Sequence, residues 1–464
     1  MVGFVGRRTE LQRLGQAYDS GTSEFIVVYG RRRVGKTELL LQSIRDRPAI
    51  YYVGKTSTPA LQMREFLQES ARVLGEPLLA EIEPRSWKHA LELVADRWRG
   101  DGKLVVVLDE FQWMASASAE LPSVLQELWD HTWKDSGKLA LVLCGSFIGF
   151  MEREVLGRES PLFGRRTLQM HLRPFGYLEA AKFFPRWSNL ERARAYFVCG
   201  GIPWYLRAFD PARSVEQNIT EQLLDEFAPL HREPDFLLRE ELREVENYYA
   251  VLRAIASGSR TSSQITTQTG LPERSLHYYI GQLVGLGYVA KRHPLTAGRP
   301  NVRVVRYVLE DPLVRFWFRF VFPNNSYIER ATPRQAFVQR IRPDLPSYEG
   351  GCFERLCREA MPRLYAREGA TDEFEIGEYW NREVQIDLVG LRDDGWVDLG
   401  ECKWGAVRSA AGLQRELDAK VPLYPTQTGM TVQRRFFVRN APKRLSPREG
   451  DRWHDLEDLY AADP

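Results

Sequence analysis

Eight residues near the amino terminus have the types and spacing of a phosphate-binding loop: Gly30-Arg-Arg-Arg-Val-Gly35-Lys36-Thr37. The apolar run Glu24–Tyr29 precedes them and a helical pattern follows, so the order is strand, GxxxxGKT, helix. Glycines let backbone N–H groups turn towards phosphate oxygens, and the helix presents its positive end to the same oxygens. In this motif the lysine reaches the β- and γ-phosphates, and the threonine binds Mg²⁺. We therefore predict ATP and Mg²⁺ as ligands, with contacts from Gly30, Arg33, Val34, Gly35, Lys36, Thr37 and Glu38.

A second apolar run ends in two acids. Leu104–Leu108 reads LVVVL, as expected of a central parallel strand, and Asp109 and Glu110 follow it. Carboxylates at the carboxyl end of such a strand stand beside a phosphate-binding loop. We predict that Asp109 holds Mg²⁺ together with Thr37, and that Glu110 polarises the attacking water.

A third apolar run, Leu139–Cys144, leads to polar residues whose role the sequence leaves open. Ser146 either senses the γ-phosphate or is an ordinary helix cap. Further on, Arg165 or Arg166 could stabilise transition-state charge, and a solvated basic turn is the alternative.

Five motifs in chain order carry a family resemblance: FVGRRTEL at 4–11, the phosphate-binding loop, LDEFQW at 108–113, LCGS at 143–146 and GGIP at 200–203. Together they resemble the archaeal-type ATPases, in the STAND and AAA+ group of P-loop proteins, over roughly residues 1–245. In that family the hhGRxxE opening and the GxP element flank the nucleotide base. The resemblance implies that Val5, Gly6, Arg7 and Pro203 lie near adenine or ribose. A plain loop between helices is the alternative for 200–203.

Residues 247–310 show a different pattern, three short helices followed by two strands. The third helix opens at Pro272 and carries an apolar stripe. Tyr288–Arg292 and Val302–Leu309 then alternate like strands around a Gly-Arg-Pro turn. This order predicts a winged helix-turn-helix.

The same segment is strongly basic. It holds eight Arg or Lys and two acidic residues, an excess of six positive charges in a chain whose total is +2. A local excess of this kind is typical of phosphate binding, so we predict DNA as a partner. The expected contacts, from the third helix and the turn, are Arg274, Ser275, His277, Tyr278, Arg299 and Arg303. The alternative is a winged helix that serves only as a lid or a protein contact.

Near the carboxyl terminus, two strand-like runs flank the turn Arg-Asp-Asp-Gly: Glu383–Gly390 and Trp396–Lys403. A hairpin is implied, and its pairing would bring Asp387 near Glu401. Lys403, two positions after Glu401, faces the same side of the strand. Two carboxylates that hold Mg²⁺ and a lysine that orients or deprotonates water suit phosphodiester hydrolysis.

This arrangement resembles the PD-(D/E)xK nucleases, a domain that often accompanies archaeal-type ATPases, over roughly residues 345–440. Ile386 stands where the motif name has proline, which is a common variation. Glu354, on a helix before the hairpin, could add a metal ligand. The alternatives are a surface salt-bridge network, or a nuclease fold retained without cutting.

Composition narrows the remaining possibilities. The chain is 44% hydrophobic, and no apolar run approaches the roughly 18 residues of a membrane span, so a soluble cytoplasmic protein without a membrane partner is expected. Five scattered cysteines show no zinc-ligand spacing, and most are expected to be core thiols. The aromatic run RFWFRFVF at 315–322 is also expected in a core.

A length of 464 residues requires several folding units. The expected fold class is α/β multidomain, in five segments: a P-loop parallel-sheet ATPase core (1–170), a helical lid (171–245), a winged helix-turn-helix (246–310), a connecting segment (311–344) and a nuclease-like α/β domain (345–464). The leading hypothesis is an ATP-dependent DNA-processing enzyme. The alternatives are an ATP-switched DNA-binding regulator and, disfavoured by the basic segment, a signalling scaffold. Homo-oligomerisation is possible.

Overall fold

The computed structural model describes residues 3–298, 304–371, 373–442 and 448–462. They form two compact units. The first holds Gly3–Pro174 and Ile202–Trp204, and the second holds Phe175–Gly201 and the chain from Tyr205 onward. Within these described residues, no helix has both the length and the apolar character needed to cross a membrane.

The first unit is built on a five-stranded parallel sheet with the order β2-β3-β4-β1-β5. The strands are β1 (Glu24–Tyr29), β2 (Ala49–Val53), β3 (Leu104–Asp109), β4 (Leu139–Gly145) and β5 (Leu168–His171). Every residue of β1, β3 and β4 is buried, which explains why these strands are continuously apolar rather than alternating. The three apolar runs in the sequence are thus confirmed as central parallel strands.

Helices connect these strands. They are α1 (Arg8–Asp19), α2 (Lys36–Ser43), α3 (Pro59–Leu74), α4 (Trp87–Arg97), α5 (Phe111–Ala117), α6 (Leu121–Leu128) and α7 (Ile148–Phe150). Helix α2 begins directly after the glycine-rich loop, and α5 begins directly after β3. The candidate phosphate-binding and acidic residues therefore lie at the carboxyl ends of β1 and β3, two parallel strands on either side of β4, and ligands bind at this edge of such sheets.

The second unit begins with helices and a small hairpin. The helices are α8 (Tyr177–Ala181), α9 (Asn189–Cys199), α10 (Pro203–Ala208, whose first two residues belong to the first unit), α11 (Val215–Leu223), α12 (Glu233–Glu241), α13 (Val245–Ala256), α14 (Ser262–Thr269) and α15 (Glu273–Gly285). Strands β6 (Val289–Arg292) and β7 (Arg306–Leu309) then pair antiparallel. The segment predicted as a winged helix-turn-helix thus consists of three helices and a two-stranded hairpin.

A mixed five-stranded sheet forms the carboxyl-terminal part, in the order β12-β11-β10-β9-β8. Its strands are β8 (Phe374–Trp380), β9 (Gln385–Arg392), β10 (Trp396–Lys403), β11 (Thr431–Val438) and β12 (Asp451–His454). The helices here are α16 (Pro312–Phe316), α17 (Asn325–Ile328), α18 (Pro333–Ala336), α19 (Leu345–Glu368), α20 (Ala410–Lys420) and α21 (Leu456–Tyr460). Strands β9 and β10 are antiparallel, as the predicted hairpin required.

Hydrophobic contacts cross the segment boundaries drawn from the sequence. Tyr177 and Phe197, from the predicted lid, pack in one core with Phe353 and Trp404. Apart from Ile202–Trp204, the four predicted segments after residue 174 therefore share one compact unit. Two core expectations are confirmed: all five cysteines are buried, and so are most side chains of the 315–322 aromatic run.

A buried ion-pair network holds the carboxyl-terminal sheet to α19. Arg435 donates hydrogen bonds to Asp398 and, over 2.6 Å, to Glu368, and Tyr365 donates to Asp398 over 2.6 Å. Asp398 and Arg435 are both 0% exposed. Removing one partner leaves an unpaired buried charge.

We expect Arg435→Met to lower the free energy of unfolding by about 3 kcal/mol, the low end of the cost of breaking a buried pair. Urea denaturation followed by tryptophan fluorescence measures it. The matched control, Arg452→Met on β12, removes an exposed arginine and should change stability little. Equal losses in the two variants would contradict a structural role for this network.

Candidate nucleotide and nuclease-like sites

The glycine-rich loop between β1 and α2 adopts a conformation that its glycines permit. Gly35 has φ 91° and Gly30 has φ 155°. A Cβ atom at Gly30 would lie 2.3 Å from the carbonyl oxygen of Leu172, so only glycine fits there. Arg33 has φ 66°, an uncommon value for a side chain with a Cβ atom. Such left-handed residues are typical of loops that turn backbone N–H groups to one side.

Lys36 is folded back onto this loop. Its Nζ donates to the carbonyl oxygens of Gly30 and Arg31 over 2.9 and 3.0 Å. Burial lowers the pKa of its ammonium group. A buried cation held only by neutral carbonyls is poised to exchange these partners for phosphate oxygens.

The predicted Mg²⁺ ligands meet at the end of β3. Thr37 Oγ1 donates to Asp109 Oδ2 over 2.9 Å, and Tyr51 donates to the same oxygen over 2.5 Å. A hydroxyl and a carboxylate are the hard oxygen ligands that Mg²⁺ prefers, so these residues fit the ion.

Glu110 is turned towards the residue predicted as a sensor. It has φ 51° and follows directly after β3. Its Oε2 accepts a hydrogen bond from Ser146 over 2.8 Å, and Gln112 also donates to it. Ser146 is thus linked to the candidate catalytic carboxylate through its hydroxyl.

The residues expected near the base lie around the opening of α1. Val5 is half-buried and Gly6 has φ 70°. Arg7 also has positive φ, and its guanidinium donates to the carbonyl oxygens of Val34 and Arg173 over 3.3 and 2.6 Å. This arginine therefore joins the opening motif to the phosphate-binding loop.

Pro203 and its neighbour also approach the phosphate-binding loop. Pro203 Cγ would be 3.6 Å from a Cβ atom at Gly35. The guanidinium of Arg33 lies 4.3 Å from the ring centroid of Trp204. By contrast, Arg165 forms a double hydrogen bond with Asp130 and donates to the carbonyl oxygens of Pro161 and Phe163 in its own turn.

The residues predicted to contact DNA are placed in part. Arg274, His277 and Tyr278 are exposed on α15, and Ser275 is half-buried there. Arg299 and Arg303 lie outside the described residues. Opposite this exposed face, Leu276, Ile280 and Leu283 are buried, so the helix is amphipathic as predicted.

The candidate nuclease residues lie at the end of the β9–β10 hairpin. The register between the strands ends with the pair Gly400 and Leu388, which are the chain neighbours of Glu401 and Asp387. Asp387 Oδ2 accepts a hydrogen bond from the N–H of Cys402 over 3.1 Å. Glu401 is 1% exposed and Asp387 is 8% exposed.

Two lysines hold the Glu401 carboxylate. Lys403 Nζ donates to Oε1 over 2.8 Å, and Lys420 Nζ, from α20, donates to Oε2 over 2.6 Å. Burial, and then the nearby Asp387, raise the pKa of Glu401. Burial and Glu354 do the same for the pKa of Asp387. The mutual effects indicate that the three acids lie within electrostatic range of each other.

A metal site is only partly assembled from these acids. Across 3–298, 304–371, 373–442 and 448–462, no group of three His, Cys, Asp or Glu side chains is arranged to hold a metal ion. Asp387 and Glu401 are oxygen ligands of the kind that Mg²⁺ prefers, and they would hold it. Glu354 as a third ligand stays a prediction.

Two family models match the chain. Residues 4–209 match an ATPase domain found predominantly in Archaea, and residues 317–414 match a family described as "Archaea bacterial proteins of unknown function". Over 461 residues the chain is 30% identical to an uncharacterised protein of Methanocaldococcus jannaschii, covering 98% of this chain and 100% of that protein. The chain belongs to this archaeal-type ATPase family.

Two further proteins are similar to parts of the chain. A Walker-type ATPase of Pyrococcus abyssi matches with a TM-score of 0.52 and 21% identity, over 68% of this chain and 96% of that one, which shows a shared fold. A stretch of 47 residues, 10% of this chain, is 38% identical to an uncharacterised ATP-binding protein of M. jannaschii, over 80% of that protein. The protein is an ATP-binding P-loop ATPase with an additional carboxyl-terminal sheet.

Sequence reasoning missed several partners in both sites of this ATPase. No sequence motif marks three side chains that donate to the candidate acids: Tyr51 to Asp109, Gln112 to Glu110 and Lys420 to Glu401. Only Gln112 had a local signal, since it lies two residues after the acid that it contacts. Tyr51 and Lys420 lie on other elements than the acids, and only the tertiary fold places them in contact.

We expect Glu110→Gln to keep ATP affinity and to slow hydrolysis by roughly a hundredfold, since the amide retains shape but loses the charge that polarises water. Equilibrium ATP binding and steady-state phosphate release measure the two effects. Glu120→Gln, an exposed site in the same unit, is the matched control. Normal turnover by Glu110→Gln would exclude Glu110 as the residue that activates water.

Proposed function

We propose that this ATPase is a Mg²⁺-dependent DNA-processing enzyme, in which the carboxyl-terminal domain cleaves DNA under control of the nucleotide state. The observation that carries the proposal is the meeting of Asp387, Glu401 and Lys403 at one end of the β9–β10 hairpin. These residues match the acids and the lysine of a PD-(D/E)xK site. The domain is therefore proposed to have a PD-(D/E)xK nuclease fold, and α13 to β7 to form a winged helix.

In the proposed chemistry, each group of this chain has a separate role. A divalent metal, when bound by Asp387 and Glu401, would polarise the phosphate and activate water. Lys403, whose pKa is raised by its carboxylate partners despite burial, stays charged at neutral pH. It is therefore suited to orienting a water or stabilising a phosphate oxygen rather than acting as a base.

A second function is favoured by one specific observation. Both oxygens of Glu401 accept hydrogen bonds from lysines, an arrangement that neutralises the acid without a metal. This favours an ATP-switched DNA-binding module whose nuclease-like domain does not cut. The test is a nuclease assay with Mg²⁺ or Mn²⁺ on DNA and RNA, single- and double-stranded, with and without ATP. Cleavage in any state supports the enzyme, and its absence in all states supports the module.

DNA affinity should depend on the exposed face of α15 and fall with salt. We expect Arg274→Ala to weaken duplex binding and to reduce the slope of log affinity against log salt by about 1, because one phosphate contact is lost. Fluorescence anisotropy over a salt series measures both. Arg334→Ala, an exposed arginine on α18, should leave the slope unchanged. If binding does not depend on salt, or if the two variants give equal slopes, the predicted winged helix does not bind DNA phosphates and the alternative role as a lid is favoured.

A further inference from the structure

The β6–β7 hairpin is docked on the carboxyl-terminal sheet rather than projecting from it. The N–H of Leu295, just after β6, donates to the carbonyl oxygen of Glu378 over 2.8 Å. Leu295 is 9% exposed and belongs to the core that contains Ile386 and Leu399. Tyr424 donates to the carbonyl oxygen of Leu295 over 3.3 Å. The basic strands of this hairpin therefore face the candidate nuclease domain.

A second pair of contacts fixes the other strand. Arg306, on β7, donates to Gln385 at the start of β9 over 3.1 Å. Its guanidinium also lies 4.4 Å from the ring centroid of Trp380. Strand β9 is the strand that carries Asp387, so the hairpin is anchored close along the chain to a candidate metal ligand.

A cavity of 710 Å³ lies between this hairpin and α19. Arg260 and Lys291 line it on the hairpin side, and Glu354, Arg355 and Arg358 line it on the α19 side. Arg358 also donates a hydrogen bond to the carbonyl oxygen of Asp387. Arg358 thus connects the wall of the cavity to the backbone of the strand that carries Asp387.

Three cations of this cavity lack a direct salt bridge. In the part of the chain that the structure describes, the side chains of Arg260, Lys291 and Arg355 line the cavity without a hydrogen bond or a close ion pair, although Glu354 acts electrostatically on Arg260 and Glu310 on Arg355. Cations gathered around one cavity favour an anion between them, because a phosphate can form charge-assisted hydrogen bonds with each.

Acidic side chains also line the cavity, among them Glu354 and Glu378. The cavity therefore contains both cations that suit phosphates and acids that suit a metal cation. Binding of a free mononucleotide would need only the cations, whereas cleavage of a strand needs both.

The size of the cavity restricts the ligand. A volume of 710 Å³ lies within the range of about 300–1,000 Å³ that is typical of pockets for small molecules. A duplex, whose major groove alone is about 12 Å wide, is too large to enter it. A few unpaired nucleotides fit, because a single strand can be followed by a narrow cationic groove.

We propose that this cavity is the substrate cleft of the nuclease-like site and binds an unpaired polynucleotide strand, with Arg260, Lys291 and Arg355 on its phosphates. The proposal rests on the proposed nuclease function and adds its substrate class. The exposed face of α15 is a separate surface, which leaves duplex contacts to Arg274 and its neighbours. Strand binding and duplex binding should therefore respond to different substitutions.

The test uses the full-length protein in EDTA, so that binding is measured without cleavage. Fluorescein-labelled oligothymidylate, oligouridylate and a blunt DNA duplex of equal length are titrated and followed by anisotropy. Arg260→Ala and Lys291→Ala remove exposed side chains and should not disturb folding, whereas Arg355→Gln tests the half-buried position. Thermal melting of each variant checks the fold, and Arg274→Ala removes the same charge from α15.

We expect each cavity variant to weaken binding of at least one single strand roughly tenfold, with less than about a twofold effect on the duplex. Arg274→Ala should show the reverse pattern. The oligonucleotide that binds more tightly shows whether the cavity prefers a deoxyribose or a ribose strand. The proposed cleft would be contradicted if Arg260→Ala and Lys291→Ala left the affinity for single strands unchanged. It would also be contradicted if these variants lost as much affinity for the duplex as for the single strands.

Cleavage is assayed separately with Mn²⁺, which keeps the two proposals distinguishable. Strand binding with the expected pattern but no cleavage under any condition retains the cleft and rejects the nuclease. Cleavage of a strand by the Arg260→Ala, Lys291→Ala double variant at the normal rate retains the nuclease and rejects the cleft.

Discussion

Lys36→Ala is expected to lower ATP affinity by roughly a hundredfold, because the variant loses charge-assisted hydrogen bonds worth about 3 kcal/mol to the phosphates. In the structure its ammonium group is buried and donates only to the carbonyl oxygens of Gly30 and Arg31. Alanine cannot replace those contacts or reach the nucleotide. ATP hydrolysis should fall with binding.

Isothermal titration with a non-hydrolysable ATP analogue and a phosphate-release assay measure the two losses. Lys138→Ala removes an exposed lysine from the same unit and serves as the matched control, with unchanged values for both. Because Lys36 is buried, thermal melting of the free protein must accompany the assay. Unaltered affinity in a folded Lys36→Ala protein would contradict the assignment of this loop to the nucleotide.

The nucleotide site could be predicted from sequence because most of its chemistry lies in contiguous residues. The loop from Gly30 to Thr37 is read directly, and an apolar strand that ends in Asp109 has one obvious place in a parallel sheet. The 2.9 Å contact between Thr37 and Asp109 follows from those two local patterns. Tyr51 could not be predicted, since a tyrosine on β2 has no signature that separates it from a core aromatic.

In the candidate carboxyl-terminal site too, only the residues of one local motif could be predicted from the sequence. A hairpin fixes its own register, so Asp387 and Glu401 could be paired from the turn between them. Lys420 arrives from α20, and the docking of Leu295 on Glu378 joins elements far apart in the chain. Those contacts depend on tertiary packing, for which no short pattern exists.

The wing illustrates why charge alone is an incomplete guide. The excess of six positive charges in 247–310 predicts phosphate binding but does not say which surface carries it. In the structure, Arg274 is exposed on α15, whereas Lys291 lines the cavity beside α19. One basic segment is thus divided between an open helix face and the lining of a cavity.

In the proposed nuclease, cleavage should depend strongly on Asp387 and Glu401, the two candidate metal ligands of the β9–β10 hairpin. We expect Asp387→Ala or Glu401→Ala to lose metal binding and at least about a thousandfold of the cleavage rate, since each removes a ligand. Lys403→Ala should bind metal normally and lose mainly the chemical step. Mn²⁺ titration and single-turnover cleavage separate these outcomes, in ATP-bound and nucleotide-free protein.

The pH dependence provides an independent check on the same acids. Burial and neighbouring carboxylates raise the pKa of Asp387 and Glu401. Metal binding requires both acids to be ionised. As the pH is lowered, metal affinity should therefore begin to fall at a higher pH than it would at a site of ordinary surface carboxylates. Asp393→Asn, in the turn between β9 and β10, removes an exposed acid and should alter neither affinity nor rate. An Asp387→Ala protein that is folded and still cleaves would exclude this metal site, and the ATPase would then act as a switch that binds DNA without cutting it.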